Sequence, residues 1–329
     1  MNKLVAHAID DLIELTLGSL RLIVSPPQYH FADRDLSDGF IGNQEMIYAI
    51  PPQPPQLQFD AVHRWFDGRT RARYRFTSRF LSPYPANNTV HGEADLHPEG
   101  SARAAVIFLH GYQMNSFAPL KWFAEDTAHS GVDIYYMSLP YHLRRAPQGT
   151  WSGMYALSAD VERTVQSFRQ GVLDLRSLIT YVKTVKKQKV ALAGISLGAF
   201  TSCMASVVDE RPDALVSILG GASLADMIWA GFSFRLIRSE LRESGVSRAN
   251  LEDWWRIMAP GVWRSRLAKE QMLMIAGEHD PIITPGNVTR LWEAWNEPLI
   301  HWHPCGHASA GLYARQIGAQ IQQFLSQVL

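Results

Sequence analysis

The chain has 329 residues, 47% of them hydrophobic and 19% charged, with 31 basic and 31 acidic side chains. This composition excludes a disordered chain, and a formal net charge of zero leaves no electrostatic case for nucleic acid. Two cysteines, Cys203 and Cys305, are too few for a disulfide framework and point to a reducing, cytoplasmic setting.

The length suits one large α/β domain with insertions, or two modest domains. At the start, Leu4, Ala8, Leu12 and Leu15 fall at helical spacing, and Val5, Ile9 and Ile13 widen that apolar face. Asp10, Asp11, Glu14 and Arg21 break the apolar core a signal peptide needs, and no run reaches the ~20 apolar residues of a bilayer span. The segment reads as a helix packed on the body of the protein, with a peripheral membrane or dimer contact as the alternative. Pro51-Pro52-Gln53-Pro54-Pro55 should be extended and irregular, because proline fixes φ and lacks the backbone donor. Residues 1–69 are therefore expected to form an arm that wraps the main domain, residues 70–329.

From residue 70 the pattern is regular. Strands are expected at 73–81, 89–96, 104–109, 132–138, 190–193, 214–219, 271–276 and 299–303, and helices at 118–129, 159–186, 197–208 and 308–328. Continuous apolar strands alternating with helices imply a mostly parallel sheet of about eight strands covered on both faces. Residues 222–268 break the alternation with Met227, Ile228, Trp229, Phe232, Phe234, Trp254, Trp255 and Met258. These are either helices burying aromatics in the core or a cap whose apolar underside, Trp229 included, meets a substrate.

Four short stretches carry chemistry. In Gly194-Ile195-Ser196-Leu197-Gly198 one serine lies between two glycines at a strand-to-helix seam. A serine hydroxyl needs a base and a sharply held, accessible position to act as a nucleophile, and the glycines let the strand and helix backbones approach. Chance supplies roughly 0.1 such match in a chain this long, so the context of strand and helix matters. Ser223 is a near decoy without the second flanking glycine. The stretch Leu109-His110-Gly111-Tyr112-Gln113 ends an apolar strand. The N–H groups of Leu197 and Tyr112 are the candidate donors to an oxyanion, with His110 and Gln113 beside the substrate. In Gly277-Glu278-His279-Asp280-Pro281, Asp280 is the candidate to orient a histidine, ahead of Glu278 and Asp226. Among His301, His303 and His307, the last lies beyond Pro304 and Gly306 on a loop that can reach back to Ser196. The His301–His303 pair invites a metal reading, but further ligands at zinc spacing are not evident. Arg144 and Arg145 follow the strand at 132–138 and are candidates for a substrate carboxylate or phosphate, or for an ion pair that stiffens the loop.

Together these stretches resemble the α/β-hydrolase superfamily over roughly residues 70–329. The order Ser196, Asp280, His307 is the chain order of that fold. The resemblance implies a Ser-His-acid triad on a mostly parallel eight-stranded sheet, and a cap after the sixth core strand. Fold alone does not fix the substrate. His-Gly-Tyr in place of His-Gly-Gly-Gly does not indicate a hormone-sensitive-lipase-like esterase. The expectation is a carboxylic ester hydrolase acting on a small-molecule ester with an apolar acyl part, with no cofactor and no metal. A peptidase or amidase, a thioesterase, and a non-catalytic binding module are the alternatives.

Overall fold

AAVIFL, VDIYYM, ALVSI and MLMIAG are buried along their whole length. Strands covered on both faces need no alternation of apolar and polar residues, which is why these segments read as plain apolar runs. In the computed structural model, which describes residues 1–12, 47–49 and 53–329, they form the centre of one nine-stranded sheet.

The strands are β1 (Gln58–Arg64), β2 (Thr70–Thr77), β3 (Thr89–Leu96), β4 (Ala104–Leu109), β5 (Val132–Met137), β6 (Lys189–Ile195), β7 (Ala214–Ile218), β8 (Met272–Gly277) and β9 (Leu299–His303). Their order is β1-β2-β3-β5-β4-β6-β7-β8-β9. β1, β2 and β3 run antiparallel and join β5 antiparallel, and every later pairing is parallel. The chain builds outward from β4 to β5, then reverses and adds β6 to β9 on the other side. The loops after β4 and β6 therefore leave from neighbouring strand ends at the reversal, where parallel sheets open a crevice.

Each central strand feeds two cores. Ile107 and Leu109 of β4 face α2 (Val161–Tyr181) and α3 (Leu197–Val208). Val106 and Phe108 face α1 (Ala118–Ala128) and α8 (Ala314–Val328). This is the two-residue period of a strand at work. Between β7 and β8 lie α4 (Leu224–Ala230), α5 (Arg235–Glu243) and α6 (Arg248–Trp254) with short 3-10 turns. Met227, Ile228, Phe234, Leu241, Trp255 and Met258 from this insertion are buried in the same core as α2 and α3. The helix α7 (Pro285–Ala294) precedes β9.

Three features differ from the sequence expectation. β1 lies within residues 1–69, and all seven of its residues are exposed, so no apolar alternation marks it. α7 is capped by Thr284, whose hydroxyl accepts from Asn287 N–H, and starts at Pro285. Residues 3–12 are helical, but Leu4, Val5 and Leu12 are exposed while Ala6 and Asp10 are buried. The face that docks is thus the one carrying the acid, which meets the backbone of His307 and Ser309. Ile13, Leu15, Glu14, Arg21, Pro51 and Pro52 lie outside the described residues. Among the described residues no helix is long and apolar enough to cross a membrane.

Candidate active site

Parallel register brings the four motif loops to one edge of the sheet. Leu109 of β4 is level with Gly194 of β6, and Gly277 of β8 is level with His303 of β9. Each strand then releases its loop on the same side.

After β6 the chain turns abruptly into α3. Ser196 occupies the turn with φ 55° and ψ −117°, a region costly for any residue with a Cβ, by roughly 1–3 kcal/mol. The Ser196 N–H donates to Ile218 O at 2.9 Å, which ties the turn to β7. A Cβ on Gly194 would collide with the Gly198 carbonyl, and one on Gly198 with the Leu109 carbonyl. Both glycines are therefore required by close backbone approach. At Gly111 a Cβ would stand 3.5 Å from the Ser196 Cβ, so the loop after β4 runs directly beside the serine.

Three distant side chains meet here. Ser196 Oγ lies 2.9 Å from His307 Nε2, and His307 Nδ1 lies 2.7 Å from Asp280 Oδ2. Asp280 Oδ1 accepts from the N–H groups of Ile282 and Ile283, each at 2.8 Å. With its carboxylate held in this way, Asp280 accepts from Nδ1–H, which leaves Nε2 as the acceptor for the serine hydroxyl. The loops after β8 and β9 are tied by Glu278 N–H to His303 O (2.9 Å) and His279 N–H to Cys305 O (3.0 Å). Asp280 is buried, Ser196 is 6% exposed, and the His307 side chain is 17% exposed. Such an arrangement can move a proton from a hydroxyl to an imidazole and stabilise the charge that results.

The other expected acids and histidines are placed elsewhere. Asp226 is paired with Arg248 and Arg290, and Glu278 is exposed. His303 Nε2 contacts Gln320 Oε1 at 3.0 Å. Ser223 caps α4, accepting from Asp226 N–H. Tyr112 is half-buried, with its hydroxyl 3.4 Å from Leu157 O and its ring 5.7 Å from that of Phe234 in the insertion. Gln113 follows it in a left-handed conformation (φ 63°), and Trp229 is half-buried against the main core.

Two expected substrate contacts are corrected. Arg145 has no exposed surface, pairs with Asp174 at 2.8 Å and donates to the carbonyls of Asn87 and Ser138. It is the loop-stiffening ion pair, not a ligand for substrate. His110 is likewise fully buried, with Nδ1–H donating to Gly111 O (2.8 Å) and Nε2 accepting from Leu139 N–H (3.0 Å). Both ring nitrogens are spent on backbone, and burial pushes its pKa down to about 4. Arg144, by contrast, is exposed on a groove of about 200 Å³ that His91 and Glu93 also line.

One residue at the site has no sequence signal at all. Asp10, from the N-terminal helical segment, accepts from His307 N–H at 2.5 Å and from Ser309 N–H at 3.0 Å. An isolated acid on a helix reads as a solvent-facing charge, and nothing in its spacing links it to residues three hundred positions away.

No family model matches the chain. Two uncharacterized proteins of Mycobacterium tuberculosis, from two strains, are 29% and 28% identical over 326 residues, an overlap covering 91% of this chain and 76% of each relative. An uncharacterized protein of Bacillus subtilis is 29% identical over 115 residues, 35% of this chain and 99% of its own. Among solved structures, an acetyl xylan esterase from Paenibacillus sp. superimposes with a TM-score of 0.66 at 15% identity, over 92% of this chain and 97% of its own. One from Thermoanaerobacterium sp. gives 0.61 at 16% identity, over 89% and 99%. An acylaminoacyl peptidase from Pyrococcus horikoshii gives 0.56 at 14% identity, over 82% of this chain and 42% of its own. At such identities the likeness speaks for architecture alone, and the architecture of this chain is the α/β-hydrolase fold.

Proposed function

We propose that the protein is a serine hydrolase that cleaves carboxylic esters through an acyl-enzyme. The observation that carries this reading is the relay from Ser196 Oγ through the His307 ring to Asp280, at 2.9 and 2.7 Å. Ser196 attacks the ester carbonyl carbon while its proton passes to His307 Nε2. Asp280 holds the ring and stabilises the imidazolium. The tetrahedral oxyanion is met by the N–H groups of Leu197 and Tyr112, a contribution of about 10²–10³ in rate per donor in such sites. As the intermediate collapses, Nε2–H protonates the leaving alkoxide and the acyl group stays on Ser196. Water then gives a proton to Nε2, attacks the acyl carbonyl, and releases the acid and the free hydroxyl. Every proton is accounted for by one imidazole, so the cycle requires no cofactor.

An ester is proposed ahead of other acyl compounds because two of the solved structures sharing the fold are acetyl xylan esterases, and the insertion beside Tyr112, through Phe234, supports a cap with an apolar underside. A peptidase reading on the same triad is favoured by the likeness to the acylaminoacyl peptidase. The test is a fluorophosphonate probe followed by two substrate panels, p-nitrophenyl esters of graded chain length and aminoacyl anilides. Labelling lost in Ser196→Ala and turnover of esters is the expected result. Preferential turnover of anilides would replace esterase by peptidase. A wild-type protein that takes no probe would be a binding module on a hydrolase fold.

A further inference from the structure

We infer that Asp10 is a positioning residue for the catalytic base, clamping the backbone of the His307 loop from the N-terminal helical segment. This rests on the reading of His307 as that base. The loop after β9 passes Pro304 and Gly306 before it reaches His307, and its backbone ties to the loop after β8 end at Cys305, whose carbonyl accepts from His279 N–H. Asp10 holds the next residues, with Oδ2 accepting from His307 N–H (2.5 Å) and Oδ1 from Ser309 N–H (3.0 Å). Ser309 Oγ in turn accepts from Gly306 N–H at 2.9 Å. A Cβ on Gly306 would collide with the Asp10 carboxylate, so glycine at that position and the acid on the helix fit one another.

His307 is thereby held between two carboxylates, Asp280 on the ring and Asp10 on the backbone. Asp10 is 1% exposed, and a buried carboxylate is costly unless hydrogen bonds and context retain it. Burial raises its pKa even against the hydrogen bonds from the N–H groups of Ser309 and His307 and from the Ser309 hydroxyl, which favour the charged form. Asp10 lies on the docked side of the segment with Met1, Ala6 and half-buried Ile9, while Leu4, Val5 and Leu12 are exposed. The segment is thus part of the catalytic unit, and its acid acts on the reaction only through His307.

The test compares full-length Asp10→Ala, Asp10→Asn and, as control, Asp11→Ala, an exposed neighbour. Fluorophosphonate labelling rate, kcat, KM and Tm are measured for each. Displacing a catalytic group by about 1 Å costs on the order of 10²-fold. Asp10→Ala is accordingly expected to lower kcat and labelling rate by about 10- to 100-fold, with KM within about threefold. Asp10→Asn keeps one acceptor oxygen and is expected to recover at least about threefold of that loss, with Tm close to wild type. Asp11→Ala should match wild type. If Asp10→Ala does not fold, a folded Asp10→Asn slower than wild type supports the assignment, and one as fast as wild type overturns it. Wild-type labelling with equal rates in Asp10→Ala overturns the assignment alone. A wild type that takes no probe overturns the catalytic reading, and this assignment falls with it.

Discussion

Two buried polar clusters differ in what they can do. One surrounds His307. The other surrounds Arg145 between the loop after β5, residues 78–88 and α2. In the second, Arg145 pairs with Asp174, Ser78 donates to Asp174 Oδ1 at 2.6 Å, Asn87 donates to Gln170 Oε1 at 2.6 Å, and Gln170 donates to Ser78 Oγ at 3.2 Å. In the Arg145 cluster both ionic members are fully buried, and its other bonds are side-chain amide, hydroxyl and carbonyl contacts. The His307 cluster contains an imidazole whose two ring nitrogens join a carboxylate to a hydroxyl on a strained turn. Buried hydrogen bonding alone therefore does not make a site. A site also needs a member that exchanges protons and a path for substrate.

The largest effects should separate the clusters by activity. Ser196→Ala and Asp280→Asn are expected to lower kcat by about 10⁴-fold or more, with little change in Tm. Steady-state kinetics on a p-nitrophenyl ester checks this, and a Ser196→Ala protein that retains full turnover would end the comparison. Arg145→Ala should do the reverse. Burial already pushes the arginine pKa down and the Asp174 pKa up, so removing the cation leaves a carboxylate in a site that cannot solvate it. The expected loss is about 3–5 kcal/mol of stability by urea unfolding, with probe labelling per folded molecule unchanged. The double variant Arg145→Met, Asp174→Leu should recover much of that loss, since it removes both charges together.

The third effect depends on pH. Burial, the dominant cause, lowers the His110 pKa from its ordinary 6.5 to about 4, against a backbone hydrogen bond that raises it. Between these values the unfolded chain binds a proton that the native protein does not. Stability conferred by neutral His110 is therefore complete above pH 6.5 and is lost as pH falls toward 4. The slope is about 1.4 kcal/mol per pH unit from this histidine. His142, with its ring centroid 4.8 Å from that of His110, is lowered in the same direction by burial and adds to it. Urea midpoints from pH 7.5 to 4.5 measure the sum, and the NMR signal of the His110 ring should keep its neutral position at pH 5.

The candidate site's edge of the sheet was legible in the sequence because its requirements are local. Backbone crowding at the turn demands Gly194 and Gly198, and Pro304 and Gly306 mark a loop free to leave the strand at His307. The central strands announce themselves by unbroken apolar runs. Long-range partners left no such trace. Arg144 and Arg145 are adjacent and alike, and only the packing of α2 decides that one is buried against Asp174. β1 exposes every residue, and Asp10 faces backbone N–H groups, which have no letter in a sequence.

Adjacent arginines give the finest test of the contrast. Arg144 is exposed, and ion pairs at exposed positions are worth about 0–1 kcal/mol, so Arg144→Ala should change stability by less than about 0.5 kcal/mol. Among the described residues Arg144 has no ion pair, whereas the charge of Arg145 is neutralised within the fold. Against a matched pair of esters, one neutral and one bearing a carboxylate, Arg144→Ala is expected to raise KM about threefold for the anionic ester and to leave the neutral one unchanged. The shift should fade as ionic strength rises, because an exposed charge is screened over about 10 Å at 0.1 M salt. An unchanged KM for the anionic ester in Arg144→Ala would detach Arg144 from substrate recognition and leave the groove beside His91 and Glu93 as ordinary surface.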